Sequence, residues 1–133
     1  MLKAVVQEHS MGCGIACIAC VAGIKYSKAL KLVQAKYAST KGYYCKEIIK
    51  ALGKLDLKYE YKKVTSNTKK HLEMEGTIVF IKRSSKYPKG HYLVKTNKGW
   101  MNSWINYPDE PARAGFNKKL LGKAQWIIFK QSS

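Results

Sequence analysis

Acidic residues are scarce in this chain: 8 Asp and Glu stand against 25 Lys and Arg in 133 residues, a formal net charge of +17. Such a balance leaves a positive field that draws anionic partners, whether acidic peptides, nucleic acid or a charged membrane surface. Arginine is scarcer still, present only as Arg83 and Arg113, and the lysines scatter instead of clustering. Sequence-specific DNA reading leans on guanidinium forks at guanine edges, so the charge permits nucleic acid as a partner without specifying it. Long apolar runs are missing too. The longest nearly uncharged stretch, residues 14–24, is too short to span a bilayer, which takes about 20 residues. The amino terminus passes from Met1-Leu2-Lys3 to Gln7-Glu8-His9 with no secretory pattern. The chain has 4 cysteines. Cys13, Cys17 and Cys20 lie so close together that most pairings among them would strain a helix. Free thiols in a reducing cytoplasm are therefore expected, with no metal or cofactor.

What is present is an ordinary globular composition, 46% hydrophobic, in a length that fits one domain over residues 1–133 and can bury its own core. The first half has helical periods. Residues 13–21 are apolar almost all round, the pattern of a buried helix, stopped by Gly23. From Tyr26 a second, amphipathic helix is expected, with Leu30, Val33 and Ala35 inward. A third carries Ile48, Ile49 and Leu52 on one face and ends at Gly53. The second half alternates. Residues 57–61 read as a strand, 77–81 as a central strand, 91–95 and 100–104 as a hairpin about Asn97-Lys98, and 126–129 as a last strand, with a loop marked by Pro108 and Pro111. Helices followed by an antiparallel sheet make an α+β domain.

The chemistry concentrates at Gln7-Glu8-His9-Ser10-Met11-Gly12-Cys13-Gly14. A cysteine at a helix start sees unpaired N–H groups and the positive end of the helix dipole, which favour the thiolate. Gly14 would leave room for a substrate backbone. Gln7, six residues earlier, would aim its amide at the sulfur and join a backbone N–H as an oxyanion hole. Cys17 and Cys20 read as buried packing residues. The Cys-x3-Cys-x2-Cys spacing also occurs in iron–sulfur sites, but those need irregular backbone around the cluster, whereas here the spacers are helix interior.

Three histidines are available as a base. His9 shares the cysteine's loop, and His71 sits in a charged stretch expected to be solvated. His91 follows Gly90 and opens a strand. With Asn97-Lys98 as a two-residue turn, Thr96 pairs with Gly99 and His91 with Trp104. Asn102 then falls diagonal to His91 on the same face, within side-chain reach. It would accept the imidazole N–H and fix the tautomer, with Trp104 as a shield.

Gln7-x5-Cys13-Gly14 ahead of an apolar helix, Gly90-His91 opening a strand, and Asn102-Ser103-Trp104 on the next resemble the papain-like fold. Gln7 with Cys13-Gly14-Ile15-Ala16-Cys17 is most similar to the bacteriocin-processing peptidases, the double-glycine leader peptidase domains of bacterial exporters and their stand-alone and phage relatives. The resemblance covers the whole chain in element order. It implies a cysteine peptidase with Cys13 as nucleophile, His91 as base and Gln7 at the oxyanion hole, cutting an acidic-to-amphipathic leader after a Gly-Gly pair. Two departures stand out. Gly12 replaces the aspartate usual before the cysteine. The third member, usually a downstream aspartate, is here either Asn102 or the looser candidate Asp109. No exporter segments follow, so transport would need another protein. A non-catalytic basic module on the same fold is the competing reading.

Overall fold

The first helix, α1 (Cys13–Ala22), carries no charge and has no face to give to water. Its residues 13–20 are all buried, between the sheet and the two helices that follow it in the chain. The computed structural model describes residues 2–132. Gly23 closes α1 in the left-handed region, φ 69°, with its N–H on the Ala19 carbonyl, as the sequence pattern predicts.

The second helix is shorter than its periodicity suggests. Helix α2 (Tyr26–Leu30) seats Tyr26 and Ala29, then gives way to a turn and a 3-10 segment at Ala35–Ser39, leaving Ala35 exposed. Leu32 and Val33 donate to the carbonyls of Ala29 and Leu30, three residues back, so the helix tightens and ends. The freed Leu32 carbonyl accepts Lys54 Nζ at 3.0 Å. Helix α3 (Cys45–Gly53) starts with Glu47 reaching back to the Tyr44 N–H at 2.8 Å, and buries Cys45, Ile48, Ala51 and Leu52, with Ile49 at the margin.

Six strands form one antiparallel sheet in the order β1-β6-β2-β3-β4-β5. They are β1 (Tyr59–Lys63), β2 (Ile78–Ile81), β3 (His91–Thr96), β4 (Gly99–Asn102), β5 (Gly115–Asn117) and β6 (Ala124–Lys130). Strand β1 begins two residues later than the alternation predicts, and β5 falls where the prolines suggest only loop. Ile78, Tyr92, Val94 and Ile128 face the helices. Val79, Ile81, Leu93 and Ile127 face a second apolar layer with Leu72, Tyr87, Leu120 and Leu121. Burial on both faces is why β2 has a continuous apolar sequence.

His71 is not solvated as its lysine neighbours suggest. It stacks on Phe129 at 3.8 Å between ring centroids, and its Nδ1 is buried without a hydrogen-bond partner. The 3-10 segment Lys69–Glu73 packs on β6 and turns the imidazole to the sheet.

The hairpin has the register read from its turn, Thr96 opposite Gly99 and Val94 opposite Met101. Strand pairing stops at Asn102, however, and Trp104 does not pair with His91. The Asn102 Oδ1 accepts the Trp104 N–H at 3.0 Å, which turns the chain off the sheet. Among the described residues no helix is long and apolar enough to cross a membrane.

Candidate active site

Cys13 is the first residue of α1, and the loop before it is fastened from three sides. Met11 donates to the Ala38 carbonyl at 2.8 Å, Gly12 to His9 at 3.0 Å, and Gln7 to Ser103 at 3.1 Å. A Cβ at position 12 would fall on the Tyr26 hydroxyl, so any larger residue there requires Tyr26 to shift. That hydroxyl is 3.0 Å from His9 Nδ1, so His9 is turned to α2 and stacks on Tyr26. The expected role of Gly14 changes. Its open side faces Ile48 and Tyr43, so it serves the α1–α3 contact and does not make room for substrate.

His91 opens β3 and is 5% exposed. Its Nε2 is 2.8 Å from Asn102 Oδ1. The amide orientation is fixed independently: Oδ1 also accepts the Trp104 N–H, while Nδ2 donates to Asn117 Oδ1 at 2.9 Å. An oxygen at that position requires a proton on Nε2, so neutral His91 keeps its lone pair on Nδ1. The Tyr87 ring lies flat against the imidazole, 4.6 Å between centroids and 6° from parallel. Burial, the dominant cause, drives the His91 pKa from 6.5 down to about 4; the Asn102 hydrogen bond opposes the shift and Lys86 adds to it. Asp109 is exposed and is held through its backbone, its carbonyl accepting from Trp104 Nε1 at 2.8 Å and its N–H donating to the Asn106 carbonyl at 2.8 Å.

The Cys13 thiol is not acidified as a helix start suggests. Backbone N–H groups of Tyr92, Gly14 and Cys13 itself lower its pKa, but burial outweighs them and pushes it up. Burial thus favours the neutral form of both the thiol and the imidazole. Cys17 and Cys20 lie deep in α1 with pKa values raised by burial. All four thiols are free, and among the described residues no group of three or more His, Cys, Asp or Glu is placed to hold a metal ion.

Cys13 separates two cavities. One, of about 380 Å³, is lined by Cys13, His91 and Gln7 together. The other, about 980 Å³, runs from Cys13 over Tyr92, Phe80 and Trp126 to Tyr61 on β1. The aromatic row follows the strand register: Phe80 lies opposite both Tyr92 and Trp126. Lys41, Lys46, Lys82, Arg83 and Lys89 line this larger groove, and among the described residues no carboxylate does.

The family model for the peptidase C39 family matches residues 1–124. The chain belongs to the peptidase C39 family. It is therefore a cysteine peptidase, and the resemblance read from its motifs named the right family. Its fold is similar to that of the peptidase domain of Streptococcus ComA, a bi-functional ABC transporter involved in quorum sensing. The TM-score is 0.57 at 17% identity, with 98% of this chain and 100% of that one covered. No curated protein matches the chain. The α+β, papain-like class expected from the sequence is the class observed.

In this C39 peptidase the structure brings Cys13, His91 and Gln7 to one cavity and Asn102 to His91, while leaving Asp109 apart. Gln7 differs in detail from expectation. Its Nε2 donates to the carbonyls of His9 (2.9 Å) and Ser10 (3.2 Å), and its Oε1 accepts from Ser103 Oγ (2.8 Å). Both amide protons are held by the loop in this state. Sequence reasoning gave no role to Tyr87, Ser103 or Asn117. Asn117 lies on the unexpected β5, and a tyrosine in a Ser-Lys-Tyr-Pro loop carries no signal that it will cover a histidine.

Proposed function

We propose that the chain, as one peptidase domain over residues 1–133, cleaves a peptide after a glycine pair, with Cys13 as nucleophile, His91 as base and Asn102 as the residue that orients it. The observation that carries this reading is the His91–Asn102 hydrogen bond, which leaves Nδ1 free in the cavity shared with Cys13. The Cys13 proton passes to Nδ1 as sulfur attacks the carbonyl carbon. The tetrahedral oxyanion meets backbone N–H and the Gln7 amide, which must release one loop carbonyl to reach it. The C–N bond then breaks, and the Nδ1 proton goes to the leaving amine. Water next adds to the thioester, losing its proton to Nδ1, and the C–S bond breaks to regenerate the thiol.

The basic residues along the larger groove favour a substrate with carboxylates on the part bound there, in keeping with an acidic-to-amphipathic leader. Four free thiols support a reducing, cytoplasmic setting. The test is incubation with synthetic acidic leader peptides carrying an internal Gly-Gly pair, read by mass spectrometry. Cleavage after the pair by the wild type, lost in Cys13→Ala and His91→Ala, is expected. Cleavage that persists in Cys13→Ala refutes the assignment.

The second reading, a basic binding module for acidic protein or nucleic acid, is favoured by one observation: basic side chains and aromatic rings share the same groove. Binding to nucleic acid that is steeply salt-dependent and indifferent to Cys13 alkylation would support it.

A further inference from the structure

The two cavities differ in one respect that bears on substrate choice: both contain Cys13, but only the smaller contains His91. In the reaction proposed above, on which this inference rests, His91 Nδ1 delivers a proton to the leaving amine. The residues after the scissile bond must therefore lie on the His91 side, and those before it in the basic groove. The two share Met11, Cys13, Pro88, Lys89 and Gly90, but the rest of the smaller cavity's wall is unlike the groove. One side is built from Trp104, Tyr107, Pro108, Tyr87 and Pro88. The indole N–H of Trp104 is already given to the Asp109 carbonyl, and the Tyr87 hydroxyl accepts from Asn102 Nδ2 at 3.4 Å. What these rings present is apolar surface. Trp104 and Tyr107 meet edge to face at 4.9 Å, and Tyr107 leans on Tyr87 at 5.3 Å, so the wall is braced. Ser10, Ser39 and Thr40 supply small polar groups, and Lys89 is the charged residue of the lining. The volume, about 380 Å³, is at the low end of ligand-sized pockets, roughly 300–1,000 Å³.

We propose that this cavity is the leaving-group site and selects an aromatic or bulky aliphatic residue immediately after the scissile bond, with Trp104, Tyr107 and Pro108 as its determinants. A cationic side chain there meets Lys89 and no carboxylate, and a glycine leaves the aromatic wall unused. Acidic residues act on the other half of the substrate. The enzyme thus reads charge before the cut and apolar bulk after it.

The leaving-group site can be probed in reverse, without knowing the natural peptide. A small thioester, N-acetylglycylglycine thiobenzyl ester, acylates Cys13: the sulfur displaces benzyl thiolate, which is measured as it appears. Added amino-acid amides then compete with water for the acyl-enzyme. A new C–N bond forms as C–S breaks, and the amine's proton passes through His91 to the departing Cys13 thiolate, restoring the thiol. Phenylalaninamide and leucinamide are expected to capture the acyl group at a tenth or less of the concentration that glycinamide or lysinamide requires. Hydrophobic pockets of this kind discriminate by roughly 10- to 200-fold. In Tyr107→Ala the difference should shrink toward unity. Acylation with equal capture of all four amides overturns the inference while leaving the peptidase reading standing, and this comparison needs only the wild type. Absence of a Cys13 thioester overturns both.

Discussion

At residue scale, the cysteine loop is adjusted around a missing side chain. Gly12 stands aside for the Tyr26 hydroxyl, which reaches from α2 to His9. Gly12→Ala is expected to destabilise the protein by about 1–3 kcal/mol through overpacking, measured by urea denaturation. Tyr26→Leu, costly alone, should relieve the clash, so the double mutant should be more stable than the sum of the single effects predicts. A second residue-scale consequence concerns His91. Its pKa is about 4 folded against roughly 6.5 unfolded, so the unfolded chain binds the proton first as pH falls. Stability is thus present above the unfolded pKa and is lost between about pH 6.5 and 4, by roughly 3 kcal/mol over the window. Urea midpoints at pH 7 and pH 4.5 should fall further for wild type than for His91→Gln, which cannot titrate. Equal falls would mean that His91 is not held neutral by burial.

At the scale of elements, the site joins a loop and a hairpin that lie far apart in sequence. Gln7 and Ser103 exchange two hydrogen bonds across 96 positions, backbone to backbone at 3.1 Å and hydroxyl to amide oxygen at 2.8 Å. Ser103 is fully buried, so Ser103→Ala leaves the Gln7 oxygen without that donor, at about 1–3 kcal/mol, and frees the amide to turn. In the proposed mechanism the amide acts on the oxyanion, so peptide cleavage should fall mainly in kcat, with KM little changed. Unchanged kcat would show that the Ser103 hydroxyl does not position Gln7 for the reaction. The hairpin was legible because a two-residue turn fixes register, and register decides the face on which Asn102 lies. The Gln7–Ser103 bridge was not legible, since nothing local to either residue encodes a contact made by tertiary packing. The same is true of α2: its apolar spacing continued past Leu30, but Leu30, Leu32 and Val33 pack on the core only in part and Ala35 is exposed, while Tyr26 and Ala29 are buried.

For the molecule as a whole, the question is what so much positive charge does. One ion pair, Lys62 with Glu60 at 3.9 Å on the exposed β1, is formed among the described residues. Most basic groups therefore have no acidic partner within the chain. Composition alone showed a bias toward anions but not its location, because lysines scattered in sequence converge only after folding. Lys41 and Lys46 approach the larger groove from the α3 side, while Lys82, Arg83 and Lys89 come from the strand ends and the loop before β3. A field of this kind raises the encounter rate of an acidic peptide and is screened over about 10 Å at 0.1 M salt. For an acidic Gly-Gly peptide, kcat/KM should therefore fall as salt rises from 50 to 300 mM, and a neutral analogue should show a shallower slope. Reversing two charges, Lys41→Glu with Lys46→Glu, should depress kcat/KM for the acidic peptide by about tenfold or more and flatten its salt dependence. Neither residue touches His91 or Asn102, so acylation by the small glycylglycine thioester is the control that separates lost steering from a damaged site. If that acylation falls as much as peptide cleavage, the groove charges sustain the fold of the site; if only peptide cleavage falls, they recruit the substrate.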